Sequence, residues 1–181
     1  MVAIRAYHEQ DAPTVGRLIA DTYGAFNLSF VPPRERAPFL GPFQHAGSPE
    51  AAHQAAIARA IRSQVVLVAE EDGRIVGVLR GREERLASLF VRGDRHRQGI
   101  GRALVTRFEA ESLARGVQVI RVASTLYAVP FYLKMGYKRS TGVRAGWSFE
   151  GVGLRYQPMR KELLYEVGIQ REPVLVVLGI K

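Results

Sequence analysis

A basic, glycine-containing turn between an apolar strand and an amphipathic helix constrains this chain more than any other segment. It reads Val91-Arg92-Gly93-Asp94-Arg95-His96-Arg97-Gln98-Gly99-Ile100-Gly101-Arg102-Ala103-Leu104 and follows the apolar run at 86–91. Ile100, Ala103, Leu104, Phe108 and Ala114 then share one face of a helix expected over 100–115. A strand feeding a helix through such a turn gathers backbone N–H groups at the helix N-terminus, which is a site for a phosphate. Gly99 and Gly101 keep Cβ atoms out of the way of a ligand. By itself the motif fits a tight connection equally well. It is neither a P-loop, since Gly-Lys-Ser/Thr is absent, nor a dinucleotide fingerprint, since the third glycine and the distal acid are missing.

The 181 residues, 47% of them hydrophobic, suit a single globular domain. No apolar run long enough to cross a membrane and no leader-like opening is present, so the expected location is cytoplasmic. The lack of cysteine excludes disulfides, thiolate ligands and a cysteine nucleophile. The four histidines are too scattered to suggest a metal site. A net charge of +9 points to anionic partners, and Arg92, Arg95, Arg97, Arg102 and Arg107 concentrate it at the glycine turn.

Along the chain, residues 2–6 read as a strand, and Asp11 as the cap of a helix with Pro13 in its first turn. Residues 27–47 read as a long Pro-, Gly- and Phe-rich loop, uncommon in a compact domain. A helix follows to about residue 62. Strands at 65–70 and 75–80 are joined by Asp72-Gly73, a strong hairpin turn. After the strand at 86–91 and the helix come a strand at 117–123, a short helix at 126–135, and strands at 137–144 and 153–163 joined by the Gly-rich 145–152. The strand–helix–strand unit implies a parallel pair flanked by antiparallel meanders. The expected fold is therefore α/β (α+β): a mixed, mostly antiparallel twisted sheet of about seven strands with helices on both faces. Residues 1–163 form the expected domain. Residues 164–181 form an extension whose apolar stretch 173–180 suits an edge strand or a homodimer contact.

A second motif, Ala128-Val129-Pro130-Phe131-Tyr132-Leu133-Lys134-Met135-Gly136-Tyr137, follows the strand after the helix. The pair of motifs, in this order, resembles the GNAT superfamily of acetyl-CoA-dependent N-acetyltransferases. The turn matches that family's [QR]-x-x-G-x-[GA] signature from His96 to Gly101, and the resemblance spans roughly residues 2–163. Two positions depart from it: His96 stands where Gln or Arg is usual, and Thr125 where Asn is frequent.

The resemblance implies acetyl-CoA as acetyl donor, its pyrophosphate on the N–H groups of Arg97, Gln98, Gly99, Ile100, Gly101 and Arg102. It places pantetheine along the strand of Leu89, Phe90 and Val91, with Thr125 nearby. An N–H of Phe90 or Val91 would polarise the thioester carbonyl. Tyr132 matches the family's proton donor to the CoA sulfur; on residue type alone it reads equally as a core aromatic. Glu84, with Glu83 beside it, is the candidate base, against the reading that both face solvent or that a water chain serves instead. The expected reaction is acetyl transfer from acetyl-CoA to a primary amine of a small molecule or protein, by direct attack in a ternary complex and without metal. The alternatives are a non-catalytic acyl-CoA-binding protein of the same fold and, last, a nucleic-acid-binding module, for which no motif is present.

Overall fold

The computed structural model describes residues 1–163. The extension 164–181, with its apolar stretch, lies outside them. Val2–Ala6 (β1) leads into Ala12–Thr22 (α1), then Ala37–Leu40 (α2) and Ala51–Ile61 (α3). Val65–Glu71 (β2), Arg74–Arg82 (β3) and Arg85–Val91 (β4) form a meander, and Ile100–Ala114 (α4) crosses over to Val119–Thr125 (β5). Val129–Lys134 (α5), Lys138–Arg139 (β6), Arg144–Ser148 (β7) and Gly151–Glu162 (β8) follow.

All eight strands join one sheet in the order β1-β2-β3-β4-β5-β8-β6, with β7 also on β8. Only β4 and β5 run parallel, across the α4 crossover. The β2–β3 hairpin turns on Asp72 (φ 50°) and Gly73 (φ 73°), the doubly left-handed conformation of a two-residue type I′ turn. One core lies between the sheet and α1 and α3, around Val15, Ile19, Ile57 and Val78. The other lies between the sheet and α4 and α5, around Leu79, Leu104, Phe108, Ile120 and Met159.

The seating of α4 matters for the site because its N-terminus follows the glycine turn. Two glycines of β3 permit a close approach. A Cβ on Gly77 would lie 3.0 Å from Leu104 and 3.2 Å from Ile100, and one on Gly81 would collide with the Phe108 ring.

Three local expectations are corrected. The sheet has eight strands because 145–152 is not a connection: β7 pairs with β8 from Arg144↔Tyr156 to Ser148↔Gly151. Glycine is a weak strand former and hid this strand, yet Gly146 is what lets the Tyr156 ring lie against it, 2.8 Å from where a Cβ would stand. Residues 27–47 are not an open loop. They hold α2 and short helical turns at Pro33–Glu35 and Gly41–His45, pinned by buried Leu28, Val31 and Phe43. Phe30, by contrast, is exposed. Asp11 stands at the N-cap position of α1 without capping it. Its carboxylate accepts from the Arg5 guanidinium and from the His8 N–H, and these bonds, Arg5 first, hold its carboxyl below the usual carboxylate range.

Gly81→Val should overpack the Phe108 contact and cost about 1–3 kcal/mol. Denaturant unfolding measures this; an unchanged midpoint would show that α4 does not depend on that close approach.

Candidate active site between β4 and β5

The site begins with a register fault. Along β4, Ser88 pairs with Arg80 and Leu86 with Gly81, so Ala87 is an extra residue, a β-bulge. Before it, β4 pairs with β5 only at Arg85↔Arg121 and Leu86↔Val122. After it, β4 stays on β3 and β5, paired with β8 along its whole length, stays on β8, so the two strands part. A gap lined by strand backbone opens inside the sheet.

Strand alternation decides which backbone groups face the gap. The Arg92 N–H donates to Val76 O on β3. Two residues back, Phe90 is opposite Val78 and its main chain likewise points to β3. Leu89 and Val91 therefore turn their N–H and C=O groups to the gap. The Val91 carbonyl confirms this direction, since it accepts from His96 Nε2 at 2.8 Å and from Thr22 Oγ1 at 3.4 Å. The Phe90 side chain is buried in the α1–α3 core, 5.6 Å from the Tyr23 ring.

The glycine turn lies at the end of β4. Gly93 packs under Phe26, whose ring also meets His96 at 4.6 Å. Arg97 (φ 62°) and Gly99 (φ 82°) are both left-handed, and Gly99 is the N-cap of α4 with no side-chain cap. The first helical bond of α4 is Ala103 N–H to Gly99 O, so the N–H groups of Ile100, Gly101 and Arg102 precede the helix ladder. Nothing lies within 4 Å of a Cβ placed on Gly99. Of the five clustered arginines, Arg92 pairs with Asp94, Arg95 with Glu71 and Arg107 with Glu111. Arg97 and Arg102 form no ion pair among the described residues. The Gln98 side chain bends back to Asp94 O.

Two cavities meet at the gap. One, of about 580 Å³, is bordered by Leu89, Val91, Arg97, Gly99, Ile100, Gly101 and Arg102, and by Tyr127, Phe131 and Lys134 opposite. The other, of about 810 Å³, is bordered by Phe90, Thr125 and Tyr132, by Trp147 and Phe149, and by Arg80, Arg85, Arg121, Arg144 and Arg160. Asn27, Leu89 and Ala128 border both. Asn27 Nδ2 donates to Thr125 Oγ1 at 2.7 Å and ties α1's continuation to the end of β5. Tyr23 donates to Ser148 Oγ, which donates to Phe39 O, and this chain holds α1, β7 and α2 together at the second cavity.

Tyr132 on α5 is buried, with its ring against Phe131 and Tyr137. Burial pushes its phenol above the ordinary value, so the hydroxyl stays protonated at neutral pH. Glu84 sits at the closed end of the strand pair. Its carboxylate pairs with Arg121 at 3.3 Å and its carbonyl accepts the Arg121 N–H. Glu84 and Glu83 border neither cavity, and no Asp or Glu among the described residues does. The structure thus gathers Leu89, Val91, Arg97, Gly99, Ile100, Gly101 and Arg102 around one cavity, sets Phe90, Thr125 and Tyr132 on the other, and leaves Gln98 and Glu84 outside both.

The sequence matches the family model of the GNAT acetyltransferase domain over residues 42–163. The chain belongs to the GNAT acetyltransferase family. It is an acyltransferase. Comparison with curated protein sequences finds no match. Solved GNAT structures share the fold. A GCN5-related N-acetyltransferase from Rhodopseudomonas palustris is 23% identical with a TM-score of 0.72, over 89% of this chain and 95% of that one. PaiA N-acetyltransferase from Thermoplasma acidophilum, solved in complex with coenzyme A, is 15% identical with a TM-score of 0.67, over 90% and 99%. The ribosomal-protein-S18-alanine N-acetyltransferase from Escherichia coli is 18% identical with a TM-score of 0.59, over 92% and 98%. No helix among the described residues of this GNAT chain is long and apolar enough to cross a membrane.

Sequence reading did not single out Asn27, Tyr23, Ser88, Arg80, Arg121, Arg144 or Arg160 for this site. For the strand residues among them the only sequence signal is a basic or polar side chain, which acquires meaning once the register is known, and Tyr23 and Asn27 lie on the helical segment after α1.

Replacing Tyr132 with Phe should remove no ionisation step near pH 10 from the phenolate absorbance titration, because the buried phenol titrates above that range. A missing step at pH 10 in the variant would show an exposed, ordinary phenol.

Proposed function

We propose that this GNAT chain transfers the acetyl group of acetyl-CoA to a primary amine by direct attack in a ternary complex. The observation that carries the reading is the parting of β4 from β5 beside the uncapped N-terminus of α4, with one cavity on each side of the gap. Acetyl-CoA supplies a thioester, an acyl group activated toward an amine. The residues fit such a donor. The N–H groups of Ile100, Gly101 and Arg102 and the unpaired Arg97 and Arg102 suit a pyrophosphate, and the open space over Gly99 admits it. The main chain of Leu89 and Val91 suits the amide groups of pantetheine, which would add to β4 as a strand does.

An acyl oxygen in the gap would take its donor from the N–H groups that face it, those of Leu89 and Val91, and not from Phe90, whose N–H is turned to β3. The Tyr132 phenol, kept protonated by burial, is the proton donor to the departing sulfur. For the amine proton the second cavity offers no carboxylate and no histidine among the described residues. Deprotonation therefore falls to water in the open cavity, and the attacking amine is the fraction already neutral.

Tyr132→Phe should lower kcat by about 10²-fold or more while the dissociation constant for acetyl-CoA changes little. The wild-type pH profile of kcat/KM should rise with a single limb at the pKa of the amine used. CoA release measured over a panel of amines and pH tests both. Unchanged turnover in the Phe variant would return Tyr132 to a packing role, a limb well below the amine's pKa would reveal a protein base, and binding without release on any amine would leave an acyl-CoA-binding protein.

A further inference from the structure

We propose that the acceptor amine carries an anionic group, a carboxylate or a phosphate, and that Arg80 binds it. The inference rests on the acetyl-transfer reading and adds the chemical class of the acceptor.

Among the described residues, the acceptor cavity is bordered by five arginines and by no Asp or Glu. A cavity made for polycationic amines would carry carboxylates, because like charge repels the substrate. Three of them, Arg85, Arg121 and Arg160, also stand in an arrangement that is costly to the fold. Arg82 pairs with Arg85, Arg85 with Arg121, Arg121 with Arg160 and Arg160 with Lys138, so one level of the sheet carries cationic residues on five neighbouring strands. Like charges directly opposite one another destabilise a sheet. Glu84 on Arg121 is the one ion pair in this row among the described residues. An incoming anion is attracted along such a row before it reaches the cavity.

Arg80 borders the same cavity, two residues before Arg82 on β3. It lies opposite Ser88, on the sheet face that also presents Val78 and Phe90 to the α1–α3 core. Its Nε donates to the carbonyl of Ile61, the last residue of α3. It forms no ion pair among the described residues, although burial lowers its pKa by disfavouring the charged form. The Ser88 hydroxyl beside it is buried and has no hydrogen-bond partner. A desolvated guanidinium and an orphaned hydroxyl on one wall of a cavity are matched by an oxyanion, which accepts from both. Some arginines elsewhere do find acids within the fold: Arg5 pairs with Asp11 and Glu70, Arg62 with Glu9, and Arg95 with Glu71.

The test uses matched amines that differ in the acid group: β-alanine against β-alaninamide, and phosphoethanolamine against ethanolamine, with spermidine as a polycation. Two readouts are taken on the full chain. One is CoA release. The other is binding, followed by fluorescence of Trp147, the single tryptophan, which borders the cavity. The anionic member of at least one pair should be favoured by about tenfold or more in binding and in kcat/KM. The pair that responds tells carboxylate from phosphate. Arg80→Gln should erase that preference and leave the neutral member and the acetyl-CoA affinity unchanged; Arg80→Lys should restore part of it. Arg160→Gln, at an exposed position that cannot unfold the sheet, should reduce the preference by a smaller, salt-sensitive factor. Anion-dependent binding with no acetylation of any amine would support Arg80 and defeat acetyl transfer. Neutral or cationic amines bound or turned over as well as anionic ones, or an equal loss for all amines in Arg80→Gln, would overturn the inference.

Discussion

The structure depends on a failure of backbone pairing. β4 and β5 keep two residue pairs and then separate at the Ala87 bulge, which exposes strand-edge N–H and C=O groups in the middle of a sheet. Such groups demand partners. Where the fold itself can meet the demand, it does so with side chains from the covering elements. His96 and Thr22 reach the Val91 carbonyl. These side chains come from the glycine turn and from α1, so both elements are held at the gap by the same unmet backbone bonds that make it a binding site. The N–H groups at the start of α4 continue the row of unmet donors from the strand edge onto a helix end.

A gap of this kind separates two tasks. On one side the chain offers main-chain donors, two glycines and two arginines without acid partners, a surface that suits a long polyanionic molecule with amides along its length. On the other it offers a broader cavity walled by β5, β7, β8 and the folded segment over α1, with Tyr132 at its inner surface. Burial serves Tyr132 by keeping its proton in place. Some arginines are locked into ion pairs, such as Arg5, Arg62 and Arg95, while five others border the second cavity.

Local chemistry made part of this legible in the sequence. The Asp72-Gly73 hairpin, the strand–turn–helix around Gly99, the order of elements and the short helix of Tyr132 all announce themselves through turn residues and periodicity over a few positions. The rest depends on pairing between distant strands. Nothing about Ala87 marks a bulge, because a bulge is defined by its partner strand, and so the choice between Phe90 and Val91 could not be made from sequence. The cationic row is scattered over positions 82, 85, 121, 138 and 160 and becomes a row through register alone. β7 is hard to read from sequence because Gly146 argues against a strand while serving the Tyr156 ring that lies on it. Glu84 was nominated for its proximity in sequence to β4, yet its neighbour in space is Arg121.

Residue-resolved amide hydrogen exchange with and without CoA tests most directly whether the parted strands and the α4 N-terminus form one donor-binding surface. Slowed exchange is expected at Leu89 and Val91, whose N–H groups face the gap, and at Ile100, Gly101 and Arg102, while Phe90, already turned to β3, stays unchanged. Protection that spares these five amides, or that falls on Phe90 and not on Val91, would contradict it.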